Sequence, residues 1–207
     1  MPSKTFYNLE KNKQNRIIKA AIEEFSAKIY EQVHLSNIIK KANIPRGSFY
    51  QYFKDKEDLY LYIISIIKNT KLDYLSSTLI NDKNIAFLDL VKILYEDGIK
   101  FAINHPKYVK ILDYLLKNKN YLYEKLMKEN INLAKNLYID MIEKDKTLGK
   151  IKNKVNTEVL AEMIVNLTSN ISIDNLDINN TKKSYITMIN KIEHIIYILK
   201  QGVQNNE

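Results

Sequence analysis

Arg46-Gly47-Ser48-Phe49-Tyr50-Gln51-Tyr52-Phe53-Lys54-Asp55-Lys56-Glu57-Asp58-Leu59 is the stretch on which the reading of this chain turns. Phe49 and Phe53 stand four residues apart, so a helix over 46–53 brings both onto one face, toward a core. Upstream, Leu35 to Ala42 reads as a short amphipathic helix, with Ile38, Ile39 and Ala42 inward and Lys40 and Lys41 outward. Asn43 tolerates the left-handed conformation that ends many helices. Pro45 suits the entry to the next helix, where its missing N–H costs little. Helix, tight turn and basic-aromatic helix together form the arrangement that sets one helix into a DNA major groove.

The pattern extends both ways. A helix over 12–28 carries Ile17, Ile18, Ala21, Ile22 and Phe25 on one face and Lys19, Glu23 and Glu24 on the other. Asp55, with Asp58 three residues on, can cap a long helix that runs to about Ser76. A polar break at 81–84 precedes helices over 85–104, 106–117, 121–144, 157–172 and 183–200, the last stopped by Gly202. A basic loop is expected over 145–156 and mobile polar stretches over 174–180 and 204–207. The expectation is an all-α chain of about nine helices. A three-helix DNA-binding domain with a basic N-terminal arm fills 1–58, and a larger helical domain fills 59–207.

Composition narrows the function classes. With 4 Gly and 3 Pro in 207 residues, long helices are favoured over a many-turned β-fold. The absence of Cys removes disulfides and thiolate metal sites and suits a reducing compartment. No apolar run is long enough to span a bilayer, and residues 1–16 are polar and basic, without the apolar core of a secretory signal. A cytoplasmic protein without a membrane partner is expected. The net charge of +8 is uneven: residues 1–58 carry +4, as do the remaining 149, so the N-terminal part is over twice as positive per residue. That favours a polyanionic partner there.

The side chains fit that partner. Arg46, one of two Arg, stands at the start of its helix, where it can bond guanine O6 and N7 together. Ser48 and Gln51 project from the same helix toward base edges, and Gln favours adenine. Tyr50 and Tyr52 can give hydroxyls to phosphates, and Lys54 and Lys56 add cationic contacts. Ser36, Pro45 and Gly47 complete the expected DNA-contacting set.

Ile38-x3-Ala42-Asn43-Ile44-x2-Gly47-Ser48-Phe49-Tyr50-x-Tyr52-Phe53-x2-Lys56-x2-Leu59 resembles the DNA-binding domain of the TetR/AcrR family of bacterial transcriptional regulators. The resemblance covers about residues 12–60; the rest is similar in length and helical character. It implies a helix-turn-helix domain, a helical ligand-binding domain, and a homodimer on a palindromic double-stranded operator. It also assigns DNA contact to Arg46, Ser48, Tyr50, Gln51, Tyr52 and Lys56. The chain departs from the family pattern at His34 (usually Thr or Ser), Ile39 (usually Ala) and Asn43 (usually Gly). The weaker cap at His34 costs about 1 kcal/mol unless Ser36 or the His34 ring replaces it.

In the larger domain, Val159, Leu160, Met163, Ile164, Leu167 and Ile171 form one apolar stripe. Ile189, Ile192, Ile195, Ile196 and Leu199 form another, and two such helices from each subunit would build a four-helix dimer seam. If the family pattern holds, Phe87, Tyr95, Phe101, Tyr108, Tyr114, Tyr138, Met141, Asn166 and Asn170 border a pocket for an unidentified small-molecule effector. Effector binding would then shift the helix that joins the domains and release the DNA. No cofactor, metal or catalytic residue is expected. His34, His105 and His194 are scattered, and no P-loop, GxGxxG or GxSxG occurs. The alternative to a regulator is a helical protein-interaction module, which leaves the composition of 46–53 without a purpose.

Overall fold

The computed structural model describes residues 1–81, 85–118, 121–174 and 181–203, with backbone alone at 75–81, 127–131, 168–174 and 181–185. The expected mobile stretches at 174–180 and 204–207 lie outside the described residues, apart from Asp174, which ends a helix. Among the described residues the fold is all-α, with a helix-turn-helix domain and a larger helical domain. Its helices are α1 (Lys4–Tyr7), α2 (Lys11–Ala27), α3 (Leu35–Ala42), α4 (Arg46–Tyr52), α5 (Lys56–Asn81), α6 (Phe87–Asn104), α7 (Pro106–Asn118), α8 (Tyr121–Thr147), α9 (Thr157–Asp174) and α10 (Thr181–Val203). A 3₁₀ turn spans Tyr30–Gln32. None of the described helices is long and apolar enough to cross a membrane.

Two compact units divide the chain. The first holds residues 1–72 and 105–120, and the second holds 73–104 and 121–207. This differs from the expected division at 58/59. The boundary falls inside α5, and α7 belongs with the first unit because it packs on α2. Ile18 and Ile22, expected inward, are half-buried beside the fully buried Ile17, Ala21 and Phe25.

In the first unit, the turn between α3 and α4 is set by Asn43 at φ 50° and ψ 57°, the only non-glycine residue at positive φ among those described. Its amide and that of Ile44 return to the carbonyls of Lys40 and Ile39, a left-handed helix cap. Pro45 is the N-cap of α4 rather than its first residue. Neither Ser36 nor the His34 ring caps α3. Asp55 does cap α5, accepting the Asp58 amide at 2.8 Å, while Asp58 accepts the Lys54 amide at 3.1 Å.

One expectation is overturned at the centre of this unit. Helical periodicity sets Glu24 on the solvent face of its helix, yet it is only 4% exposed. It accepts the Asn37 amide and the Lys41 ammonium, each at 2.9 Å, and so ties α2 to α3. A buried carboxylate survives when hydrogen bonds and a cation offset its desolvation. Periodicity alone cannot show such a partner.

The second unit is built around Phe87, Leu88, Val91, Tyr95 and Ile99 of α6, Ile142 of α8, Leu160, Ala161 and Ile164 of α9, and Met188, Ile192, Ile196 and Leu199 of α10. Lys92–Glu193 at 2.8 Å and Lys200–Asp89 at 2.5 Å edge the contact of α6 with α10. The α8 helix runs through Thr147, so Asp145 lies in a helix and not in the expected loop. Its buried carboxylate accepts the Phe87 amide at 2.6 Å, capping α6 from another element.

The Glu24 network makes stability depend on pH. The Asn37 hydrogen bond, then the Lys41 ammonium, hold the Glu24 pKa below its ordinary 4.5 against the opposing effect of burial. A lowered carboxylate pKa adds stability that is complete above the unfolded-state value and is lost as pH falls through the folded-state value. Glu24→Gln, which mimics the protonated acid, should lower stability at pH 7 by on the order of 1 kcal/mol. Thermal unfolding at stepped pH should show the gap to wild type closing below about 4.5. A gap that stays constant with pH would remove the charge from the explanation.

Candidate nucleic-acid interface

The α4 helix has only two turns, and its two sides divide sharply. Phe49 and, just past its end, Phe53 are buried in the core, their rings stacked 5.6 Å apart. Arg46, Gly47, Tyr50 and Gln51 are exposed, and Ser48 is half-buried. Tyr50, 50% exposed, lies edge-on to Phe49 at 5.3 Å, so a buried ring supports an outward one. Pro45, Ser36 and Lys54 are also exposed. Neither Arg46 nor Lys54 has a side-chain partner among the described residues, which leaves both cations available to an anion.

Gly47 has a separate meaning. A Cβ built there meets nothing within 4 Å. Packing inside the chain therefore does not require glycine at this exposed position. A bare backbone on the outer face of such a helix instead permits close approach by a ligand.

Two of the expected contact residues are placed otherwise. Tyr52 is only 3% exposed, packed edge-on against Phe6 at 6.3 Å with the Lys13 ammonium 5.6 Å above its ring. It forms part of the support for the helix rather than its outer face. Lys56 points inward. Its ammonium donates to the carbonyls of Tyr30 at 2.8 Å and Val33 at 3.0 Å and lies 4.3 Å from the Tyr30 ring centre. Burial lowers its pKa, and the charge of Glu31 opposes that shift. Lys56 thus fastens the 3₁₀ turn to α5, and the sequence motif alone does not reveal this.

The expected arm at the N-terminus is also structured. Ser3 caps the short α1, and Phe6 is fully buried among Tyr52, Phe53 and Tyr62. The clue in the sequence was Phe6-Tyr7, an aromatic pair in an otherwise polar segment.

The residues expected at an effector site are divided between the units. Phe87, Tyr95 and Phe101 are buried and Tyr138 and Met141 half-buried, all in the second unit. Phe87 meets Tyr138 edge-on at 5.4 Å. Tyr108 and Tyr114, half-buried on α7, belong to the first unit, where Tyr108 stacks on His105 at 5.1 Å. Asn166 is exposed, and the Asn170 side chain lies outside those described. Tyr95 is distinctive: it is 5% exposed, its hydroxyl has no hydrogen-bond partner among the described residues, and burial raises its pKa to about 12.

The expected dimer stripes are likewise corrected. Leu160, Ile164, Ile192, Ile196 and Leu199 are buried in the core of their own unit, and Leu167, Ile189 and Ile195 are half-buried. Of that set, Val159 and Met163 are exposed, and the Ile171 side chain is not among those described. Ile186, Tyr197 and Ile198, outside the expected stripes, are three large exposed apolar residues on α10. Among the described residues, no three His, Asp or Glu side chains gather as a metal site would need.

Residues 17–63 match the sequence model of the bacterial regulatory proteins of the tetR family. An uncharacterised helix-turn-helix-type transcriptional regulator of Bacillus subtilis is 23% identical over 161 residues, covering 77% of this chain and 78% of that protein. The crystal structure of a TetR-family transcriptional regulator from Chloroflexus aurantiacus aligns over all of both chains, with a TM-score of 0.77 and 24% identity. That of the transcriptional regulator FadR from Bacillus subtilis, in complex with stearoyl-CoA, covers 88% of this chain and 96% of its own, with a TM-score of 0.69 and 18% identity. These proteins are described as regulators of transcription, not as enzymes.

Two substitutions test the interface. Arg46→Ala should weaken binding to a selected duplex by about 1–3 kcal/mol and relax preference at one base pair. Gly47→Ala should leave thermal stability unchanged or raise it by up to about 1 kcal/mol while weakening DNA binding. An alanine variant that binds DNA as wild type does would show that no ligand approaches closely there.

Proposed function

We propose that this chain, a transcriptional regulator of the TetR family that binds DNA, is a repressor that holds a palindromic operator as a homodimer and is released by a small molecule. The observation that carries the reading is the outer face of α4. Arg46 stands exposed at the start of a helix whose Gly47, Tyr50 and Gln51 lie exposed off the face anchored by Phe49. Arg46 and Gln51 carry base readout, Ser48 and Tyr50 join base or phosphate contact, and Lys54 attracts the backbone. Domain roles follow the two compact units, with DNA reading in the first and effector binding and dimerisation in the second.

The dimer seam is assigned to the outer faces of α9 and α10. Val159 and Met163 are one turn apart on α9; Ile186 and Tyr197 share a face of α10, with Ile198 beside them. Large apolar groups clustered on one surface favour a partner surface over water. A two-fold dimer supplies two reading helices, which must lie about 34–36 Å apart to meet successive major grooves.

For the effector, support comes from Tyr95. A buried hydroxyl without a partner carries a desolvation penalty that a ligand's polar group can relieve. The core cluster to which it belongs, with Phe87, Val91, Ile99 and Tyr138, favours an apolar ligand body. Stearoyl-CoA, held by the FadR structure of similar fold, has both a long apolar chain and polar groups. We take long-chain acyl compounds as the first class to test. Because α5 is one continuous helix from Lys56 to Asn81, movement at its C-terminal end is carried toward the reading domain. By linkage, DNA then weakens effector binding by the same factor that effector weakens DNA binding.

Two variants separate these parts. Tyr197→Asp with Ile198→Asp should shift the protein to monomer in sedimentation and cut operator affinity at least tenfold; an intact dimer would move the seam elsewhere. Tyr95→Phe should keep or slightly raise thermal stability, since it deletes an unsatisfied group. Operator release by stearoyl-CoA, followed by fluorescence anisotropy, should need a higher concentration in that variant. Equal release by wild type and variant would remove Tyr95 from the effector site. No release of wild type would remove this acyl class.

A further inference from the structure

The carbonyl end of α4 presents a problem that the helix cannot solve alone. An α-helix leaves its last carbonyls without intrahelical donors. The α4 helix stops after Tyr52, with no left-handed cap, because Phe53 at φ −133° and ψ 140° is already extended. The Phe53 amide returns to the Phe49 carbonyl at 2.9 Å, but the Lys54 amide turns to the Asp58 carboxylate instead. The last carbonyls of α4 therefore need donors from elsewhere.

Ser3 supplies two. Its amide donates to the Tyr52 carbonyl at 2.9 Å, and its hydroxyl donates to the Gln51 carbonyl at 2.5 Å. The same hydroxyl oxygen accepts the Phe6 amide at 3.3 Å, so one side chain both starts α1 and finishes α4. Phe6 fixes the position. Its ring centre lies 6.3 Å from Tyr52, 5.0 Å from Phe53 and 5.5 Å from Tyr62 of α5. The far end of α1 is held as well, because the buried Gln14 amide donates to the carbonyls of Tyr7 and Leu9.

We propose that Ser3 is a positioning residue for DNA reading: it caps the carbonyl end of α4 from outside the helix and fixes the backbone of Gln51. Gln51 is the last exposed side chain of the helix, and its own carbonyl carries the 2.5 Å bond from Ser3. A two-turn helix frays readily from an uncapped end. Fraying at residues 51 and 52 misdirects the Gln51 side chain while Phe49 keeps the helix start in place. Ser3 itself need not touch DNA.

The inference rests on α4 being the reading helix, and the test separates the two. A duplex is first selected from random DNA by the full-length wild-type protein; failure to select any duplex counts against the reading and not against the cap. Ser3→Ala should then bind the selected duplex about 3–10-fold more weakly, the worth of one or two hydrogen bonds. Binding to a scrambled duplex should change less than about twofold, and Ser3→Thr, which keeps the hydroxyl, should restore affinity. Unchanged binding by Ser3→Ala, or equal loss on both duplexes, overturns the positioning role. Amide hydrogen exchange needs no DNA: in Ser3→Ala, the amides of Tyr52 and Phe53 should exchange faster while those of α2 and α3 do not. Uniform acceleration across the first unit, or none at Tyr52 and Phe53, overturns the cap itself.

Discussion

A seven-residue helix cannot hold itself in water, and α4 exists because an aromatic floor holds it. Isolated helices of two turns are far below the length at which backbone hydrogen bonds offset nucleation. Phe49 and Phe53 supply the missing free energy by burial, each worth about 2–3 kcal/mol, and Phe6, Tyr52 and Tyr62 close the cluster around them. The floor also decides the face. Once residues 49, 52 and 53 point inward, helical geometry turns 47, 50 and 51 outward, Arg46 is exposed at the helix start, and Asn43 sets the direction in which the helix starts. On the proposed reading, the surface offered to DNA is the complement of the core beneath it.

The same logic sorts the charges. Counting alone makes residues 1–58 a positive patch, but not all of those cations face outward. Lys56 is turned into the carbonyls of residues 30 and 33, and Lys41 is paired with Glu24. Both hold loops and helices in register and contribute less to an external field than their formal charge suggests. Arg46 and Lys54 remain exposed and without a side-chain partner among the described residues. They stand at the two ends of the segment 46–54, and on the proposed reading they orient the helix along a phosphate backbone.

How much of this could be read from the sequence depends on how local each signal is. The helix-turn-helix was legible because its determinants lie within about 25 residues: the 3.6-residue period, a left-handed Asn, a Pro, and Phe at i and i+4. The α1 helix was not, because four residues have too little period to register. Its stability comes from rings 46 to 56 positions away. The inward turn of Glu24 and Lys56 was hidden for a similar reason, since their partners come from other elements. The Tyr95 hydroxyl was visible only as one aromatic among many. Its lack of a partner is a property of the packed core.

The stripes of α9 and α10 show where a correct pattern led to an incomplete assignment. Sequence periodicity reports that a face will be covered, not by what. Met188, Ile192, Ile196 and Leu199 make α10 apolar toward its own core, and Ile186, Tyr197 and Ile198 make it apolar on the other side as well, at 51%, 63% and 66% exposed. A helix that is apolar on two faces is stable in water only if both are covered. On the dimer reading, α10 is covered on one side by its own chain and on the other by a second copy. Folding and association then draw on the same hydrophobic transfer. The stability of the second unit should rise with protein concentration, as it does wherever a partner binds only the folded state. On the same reading, any ligand that loosens the core under α10 also acts on the seam, because one helix forms both.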